Sequence, residues 1–570
     1  MAKPQCKGTG NIMRSIGIFV TGTVLATSSV YAESGNQTKD FSPIVNGDVP
    51  FRVTIEEVPW AGDSLPTIQS SSYARFGHHL VFIGGRTSGV HDFTCDADGN
   101  FLPTEFNDTI FVIDYENEHV YQRQLSEGDL TEFQNADLAS TNKLFFHDDN
   151  HLVMVGGYGH QNEAPPAGGS WGGCPMATDS RFLTYDTMKV ADLAGVIGWT
   201  KGDKTLLSSH IRFIEAPSED TDLFQVTGGT MLLVEDEFWL CLGHMYEGGY
   251  LDEFAGCPCP TPAQQEYTKS IRRFSFDPDD PASEPVFIGE TPDRPDWARR
   301  RDLNILPVRY DEADRGAVAL AGVFTEEVGI WTVPITIRPD GTMEQADASD
   351  PDTFKQGFNI YHSAAMNFWS ADRAENWMVI LGGMGYQVLD EGELFEDYTV
   401  PYSNEVLAIR FAPGELLDDD DDVWSQHFPD CSYPEIIDAA SGRVYHFGSE
   451  MALMPVIDND EYIYDLDTIT EPTHVAYIYG GIVSPGQNRL DQTYQQTYAS
   501  NRIFRVNIAP AIPCPGDITN NGSVGAADLL IVLDEWGCTG ECIADVNNDE
   551  IVNVFDLLIV LREWGNCPKS

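Results

Sequence analysis

Positive charge is what this 570-residue chain has least of: 33 lysines and arginines stand against 89 aspartates and glutamates, a formal net charge of −56. Nucleic acid and anionic membranes are recognised through clustered Lys and Arg, so neither is expected as a partner. An excess of this size suits a protein in a saline medium, where screening blunts self-repulsion. Apolar runs long enough to cross a bilayer are also lacking. The most apolar segment, 16–26, is interrupted by Thr21, Gly22 and Thr23, and it follows Lys3, Lys7 and Arg14. With Val30-Tyr31-Ala32 closing it, residues 1–32 read as a removable secretory signal, and no membrane insertion of the mature chain is expected. Catalytic signatures are missing too: no nucleophile elbow, P-loop, HExxH or dinucleotide fingerprint occurs.

Cysteine is sparse, 11 in all, and Cys6 leaves with the signal. An even remainder outside the cell points to disulfides. Cys95, Cys174, Cys241, Cys257, Cys259 and Cys431 lie in the body of the chain, where bridges between neighbouring loops are expected. Cys514, Cys538, Cys542 and Cys567 punctuate the C-terminus, and either each half closes on itself or the two halves cross-link.

That C-terminus is written twice, as CPGDITNNGSVGAADLLIVLDEWGC and CIADVNNDEIVNVFDLLIVLREWGNC. Asp517 and Asp545, Asp528 and Asp556, and Trp536 and Trp564 each stand 28 residues apart. Asp545, Asn547, Asp549 and Asp556 occupy positions 1, 3, 5 and 12 of a calcium loop, and Asp517, Thr519, Asn521 and Asp528 occupy them in the first copy. The position-7 carbonyls belong to Ser523 and Ile551. Calcium takes six to eight oxygens, which alternating polar residues on a bent backbone supply. The first loop has only two carboxylates, so it should bind more weakly, and Glu550 replaces the customary Gly of the second. Each loop runs into an apolar stripe, Leu529, Val532, Leu533 and Trp536, then Leu557, Val560, Leu561 and Trp564, spaced for one helix face.

One loop and one helix, duplicated, resemble a dockerin domain, of the subtype with Cys and Trp-Gly punctuation often called GC-type. The resemblance implies a small α-helical calcium-binding module over 516–570 that docks a cohesin-like or cell-surface protein. Positions 10 and 11 contact the partner in dockerins; here they are Ala526 and Ala527, then Val554 and Phe555. Residues 509–515, APAIPCP, form a semi-rigid proline-rich linker ahead of it.

Residues 33–508 carry a degenerate repeat: an apolar strand ending in a small or Gly pair, a variable loop, then a second β-rich strand. Its six copies are HHLVFIGGRTSG with DTIFVIDYEN, HLVMVGGYGHQ with SRFLTYDTMK, EFWLCLGHMYEG with KSIRRFSFDP, GAVALAGVFTEE with GIWTVPITIRPDG, NWMVILGGMGYQ with NEVLAIRFAPG, and HVAYIYGGIVSPG with NRIFRVNI. A Gly pair is needed where backbone approaches a neighbour closely and a Cβ would clash. The pattern resembles kelch repeats, which implies a mainly β chain with a β-propeller of about six blades. Residues 51–60, FRVTIEEVPW, are expected to complete the sheet holding the last strand. No long helical period appears between 50 and 510.

Loops after the Gly pairs carry Arg86, His91, His160, His244 and Tyr386, and three of these histidines come from successive repeats. Trp171, Tyr250 and Tyr361 suit sugar stacking, and Asp418–Asp422 is an acidic run expected to be a solvated loop. The expected protein is secreted, bacterial and non-catalytic. Its propeller would bind a glycan or scaffold an assembly, anchored by the calcium module. A carbohydrate oxidase or glycoside-active propeller and a structural cell-surface component are the alternatives.

Overall fold

A computed structural model of the chain describes residues 41–566 apart from 47–48, 92–100, 162–181, 219, 249–263, 326–328, 391–392, 398–399, 415–421, 440–441, 458, 460, 488–496, 512–513, 520–522, 541 and 548–550. Residues 1–32, the expected signal segment, lie outside these residues. The described chain is mainly β, and its body is built from six sheets taken in chain order. The first contains Ser72–Phe76, His79–Ile83, Thr109–Asp114 and His119–Gln124, all antiparallel. The second, third and fourth begin at Leu144–His147, Thr230–Val234 and Ile305–Arg309 and repeat this four-strand meander. The fifth is wider: Ala365–Ser370, Glu375–Met384, Tyr402–Ala412 and Val423–Phe428 are flanked by Ile44–Asn46 and Ile463–Asp465, both added in parallel.

The sixth sheet is shared between the two ends of the body. Ala452–Pro455, Thr473–Tyr479 and Ile503–Pro510 are completed by Phe51–Glu57, which pairs antiparallel with Ile503–Pro510 from Phe51 opposite Pro510 to Glu57 opposite Phe504. This is the pairing expected of FRVTIEEVPW, although the strand stops at Glu57. It seals the interface of the fifth and sixth sheets, where the fully buried Phe51 meets Trp377 edge-on at 5.7 Å between centroids. The last strand also runs through Pro510, two residues into the proline-rich stretch.

Successive first strands are neighbours, from Ser72–Phe76 through Leu144–His147, Thr230–Val234 and Ile305–Arg309 to Ala365–Ser370, and Ala452–Pro455 lies back against Ser72–Phe76. The second strand of each sheet is therefore covered on both faces. All ten residues of Glu375–Met384 are buried, and so are all five of His79–Ile83. An unbroken apolar run, without in–out alternation, is what such a strand requires. Gly pairs end these runs because the next sheet is close. Gly85 N donates to Ser140 O at 3.1 Å, Gly157 N to Val226 O at 2.9 Å, Gly383 N to Phe447 O at 3.1 Å and Gly481 N to Ile68 O at 2.9 Å.

Three features depart from expectation, the first being that GIWTVPITIRPDG is split, Ile330–Trp331 pairing with Gly322–Val323 in a small separate sheet and Ile335–Ile337 joining the fourth sheet. The run SRFLTYDTMK is not one strand: Phe182–Thr184 belongs to an accessory sheet with Tyr158–His160, His244–Glu247 and Gln264–Tyr267, and the second sheet takes Thr187–Asp192 instead. Short helices also occur in the connections, α1 (Glu132–Ala139) and α2 (Leu193–Thr200). A capping box starts α1, with Thr131 Oγ1 accepting from Gln134 N and Gln134 Oε1 accepting from Thr131 N. Buried Asp137 at its end pairs with the fully buried Lys189 at 2.6 Å, and Lys189 Nζ also donates to Gly156 O at 2.9 Å. This pair fastens α1 to the second sheet and its Gly pair.

Candidate functional site

Two constructions gather polar side chains, one in the tail and one in a hydrogen-bonded ring that links the six sheets of the body. The tail contains α3 (Ala526–Asp534) and α4 (Val554–Arg562). Asp528 and Asp556, both fully buried, sit one turn into these helices and hold the preceding loops. Asp528 Oδ1 accepts from Thr519 N and Thr519 Oγ1, each at 2.8 Å, and Oδ2 accepts from Gly525 N at 2.8 Å. The second copy repeats this: Asn547 N reaches Asp556 Oδ1 at 3.3 Å, and Asn553 N reaches Oδ2 at 2.7 Å. Burial pushes the Asp528 pKa up, but the Thr519 and Gly525 donors outweigh it and hold the carboxyl below its ordinary value. The Thr519 hydroxyl lies 3.3 Å from Asp517 Oδ1, so positions 1, 3 and 12 of the first loop converge. Asn521 and Asp549 lie outside the described residues. At position 7 of the loops, Ser523 pairs with Asn566 in a short two-stranded sheet and Ile551 forms a bridge with Thr539.

The two copies cross-brace one another. Glu535, at the end of α3, accepts from Ala544 N at 3.0 Å, and Glu563, at the end of α4, accepts from Gly516 N at 2.8 Å. Cys538 bonds to Cys542 across the junction of the copies, and Cys514 is disulfide-bonded as well. The halves therefore do not each close on themselves. That disulfide leaves the nearby Glu535, Cys538 and Cys542 without thiolates for a metal. The expected helix stripes are only partly buried. Val532 and Val560 are fully covered, whereas Leu533, Trp536, Leu561 and Trp564 face outward, because two nine-residue helices have little besides each other to pack on.

In the body, one residue ahead of each sheet stands two places before its first strand, or three in the fourth and fifth: Ser70, Asn142, Gly228, Asp302, His362 and Glu450. They are linked in a ring. Asn142 N donates to Ser70 O at 3.2 Å, Gly228 N to Asn142 O at 3.1 Å, Asp302 N to Gly228 O at 2.8 Å, His362 N to Asp302 O at 3.0 Å and Glu450 N to His362 O at 3.1 Å. Ser70 Oγ closes it by donating to Glu450 Oε2 at 2.9 Å. Five of the six, all but His362, have φ between 49° and 67°, a conformation that Gly, Asn and Asp tolerate best. Gly228 is needed for a further reason: a Cβ there would lie 2.7 Å from Asp302 Oδ1, which leans across toward Asn142 Nδ2 at 3.4 Å.

The ring holds two carboxylates, a histidine and a neighbouring guanidinium. His362 Nδ1 lies 3.2 Å from Glu450 Oε2, and Arg301 Nε donates to Asp302 Oδ2 at 3.1 Å. Burial pushes the Asp302 pKa up to about 6 against the pull of Arg301, and Glu450 adds to the rise. Burial lowers that of His362, yet the charges of Glu450 and Asp302 and the bond to Glu450 leave it raised.

Among the described residues, His91, His160 and His244 do not come together as a three-ligand metal group. His91 packs on Phe101 at 4.4 Å, His160 on Phe182 at 4.5 Å, and His244 Nδ1 lies 2.7 Å from Gln265 Nε2. Burial, then Arg301 and Arg299, holds His244 well below the ordinary imidazole pKa. Arg86 is buried against Glu105 at 2.7 Å, with its guanidinium 4.3 Å over Phe101. Tyr386 and Tyr361 pack in an apolar cluster with Ala321 and Ile360. Trp171, Tyr250, Cys95, Cys174, Cys257 and Cys259 lie outside the described residues, as do Asp418 to Asp421. Asp422, the end of that run, accepts from Gly414 N at 3.0 Å. Cys241 and Cys431 are free thiols, not bridged as expected, and burial raises both pKa values, that of Cys431 to about 12. Sequence reasoning missed the hydrogen-bonded ring. Its available signal was that Ser70, Asn142 and Gly228 stand at one fixed distance before Gly85, Gly157 and Gly243.

No family model matches the chain, and no curated protein matches it. Among solved structures it is similar to one described as the structure of YjhT, at 10% identity and a TM-score of 0.37, over 75% of this chain and 94% of that one.

Proposed function

We propose that the six sheets are the blades of a kelch-like β-propeller, secreted and non-catalytic, which binds a glycan or scaffolds a cell-surface or polysaccharide-processing assembly. Its tail is a calcium-dependent dockerin-like module that docks a cohesin-like or cell-surface protein. Support for the propeller comes from six antiparallel four-strand meanders in chain order, the last completed by the N-terminal strand. The observation that carries the functional reading is the doubled tail, in which two buried aspartates fasten two loops of the same design.

The donor set there is all oxygen and fits calcium. Asp517, Thr519, Asn521, Asp528 and the Ser523 carbonyl would hold one ion; Asp545, Asn547, Asp549, Asp556 and the Ile551 carbonyl would hold the other. The ion would neutralise converging carboxylates and so stabilise the loops. Around it, Leu530, Leu533, Trp536, Leu558, Leu561 and Trp564 are 48–63% exposed, apolar surface in two related patches that a partner would cover.

Calorimetry of the full mature chain tests this. EGTA, or Asp545→Ala with Asp556→Ala, is expected to abolish a small calcium-dependent transition and leave the main one unmoved. A tail transition indifferent to calcium refutes the module. Elemental analysis that returns copper or zinc in the body would replace the scaffold by an enzyme.

A further inference from the structure

The hydrogen-bonded ring opens into a cavity of about 200 Å³ that the docking reading does not use. Its rim is polar: Asp302, His362 and Glu450, with Ser70 and Asn142. Its wall is apolar, formed by Met231, Ile305, Met366 and Leu453, all buried. At its far end it shares Phe146, His147, Tyr462 and Tyr464 with a second cavity of about 700 Å³, lined by Asp148, Asp149, Glu235, Asp236, Asp277 and Asp279. Carboxylates thus stand at both ends of an apolar passage, with Lys143 on the lining of the first cavity and Arg75 on that of the second.

One atom asks for a ligand. Glu450 is 6% exposed; its Oε2 takes Ser70 and His362, but its Oε1 is buried without a hydrogen-bond donor. A carboxylate oxygen left this way is costly unless a donor reaches it. An anion cannot supply the donor that this oxygen lacks, although Lys143 also lines the cavity and Arg301 and His362 stand beside the two carboxylates. A bare metal ion fits poorly, since Asp302, His362 and Glu450 form no compact three-ligand group, Arg301 lies on Asp302, and the wall has no oxygens to replace a hydration shell. A primary ammonium supplies three donors on one small charged head, and its carbon chain suits the wall.

We propose that this cavity is a binding site for an organic ammonium ion, with the nitrogen between Glu450 and Asp302 and the alkyl chain along Met231, Ile305 and Met366. It rests on the contacts of the ring and cavity alone, so it stands or falls separately from the tail.

The test is isothermal titration of the full mature chain, in calcium, with n-butylammonium and with n-butanol as its uncharged counterpart. Butylammonium is expected to bind, and butanol at least about tenfold more weakly, the ratio that one charge-assisted hydrogen bond of about 1.4 kcal/mol would give. Glu450→Gln should weaken the ammonium about tenfold and leave butanol unchanged. Met231→Trp, which fills the passage without touching the rim, should abolish both, and both variants must keep the wild-type circular dichroism spectrum. Equal affinity for butanol and butylammonium overturns the proposal, as does an unaltered ammonium affinity in Glu450→Gln. Binding that zinc displaces at equimolar concentration also overturns it, by making the rim a metal site.

Discussion

Gly156 offers the sharpest test of why this chain repeats a glycine pair. A Cβ on Gly156 would lie 1.9 Å from Val226 O and 2.8 Å from Phe224 O, both backbone atoms of the approach to the third sheet. They have no flexible end with which to move aside, and the neighbouring Gly157 N–Val226 O bond of 2.9 Å would be stretched. Gly156→Ala therefore incurs three costs. The left-handed conformation, φ +63°, costs an alanine about 1 kcal/mol. Overpacking against backbone adds about 1–3 kcal/mol, and a weakened buried hydrogen bond adds about 1 kcal/mol. Gly77→Ala is the control, because Gly77 has φ +57° but nothing within 4 Å of the added methyl. It should cost only the first contribution. Urea denaturation followed by tryptophan fluorescence should place Gly156→Ala about 2–4 kcal/mol below Gly77→Ala. If both variants cost the same, the pair serves φ alone and the close-approach reasoning fails. The close approach is confined to certain junctions. Leu242 occupies the corresponding place before the fourth sheet at φ +58°, and no heavy atom lies nearer than 3.6 Å to a Cβ on Gly322.

Two further outcomes are expected in the body. Lys189→Met strands Asp137 in the interior and should cost about 3 kcal/mol, whereas Asp137→Leu with Lys189→Met should recover most of that in the same denaturation assay. A double variant no more stable than the single one would show that the pair is not the source of the loss. Asp302→Asn should change the pH dependence of stability. The folded Asp302 keeps its proton up to about pH 6, while the unfolded carboxyl releases it near its ordinary value of 3.8. Its contribution is thus fully present below pH 3.8 and lost as pH rises through 6, at most about 3 kcal/mol. Relative to wild type, the variant should gain stability between pH 4 and pH 7; thermal melts showing a constant difference would refute the assignment.

How much of this was legible depends on how far apart the interacting residues lie. The second strands of the sheets read directly as apolar runs with a terminal Gly pair, because burial on both faces leaves no room for alternation. Phe51–Glu57 was also legible as a partner of the last strand. The short α1 was not read, although Thr131 and Gln134 spell a capping box, and Tyr185-Asp186 hid a break between two sheets. In the tail, the two helices were legible from their doubled apolar stripes, although each ends two residues before its Trp. Which stripe is buried was not, since periodicity counts Leu533 and Trp536 as core while the partner helix is too short to cover them.

By itself, the sequence determined local matters: which runs are apolar enough to be covered on both faces, which of them end in a Gly pair, and that the tail is written twice. The first two depend on neighbours a few residues away. The ring of Ser70, Asn142, Gly228, Asp302, His362 and Glu450 was decided only by the tertiary structure. Its members come from six different sheets, and Asp302 alone, surrounded in the chain by Arg301 and Leu303, gives no sign that Glu450 will help raise its pKa. Hydrogen bonding around such a ring is a property of how the sheets meet. No stretch of the chain contains it.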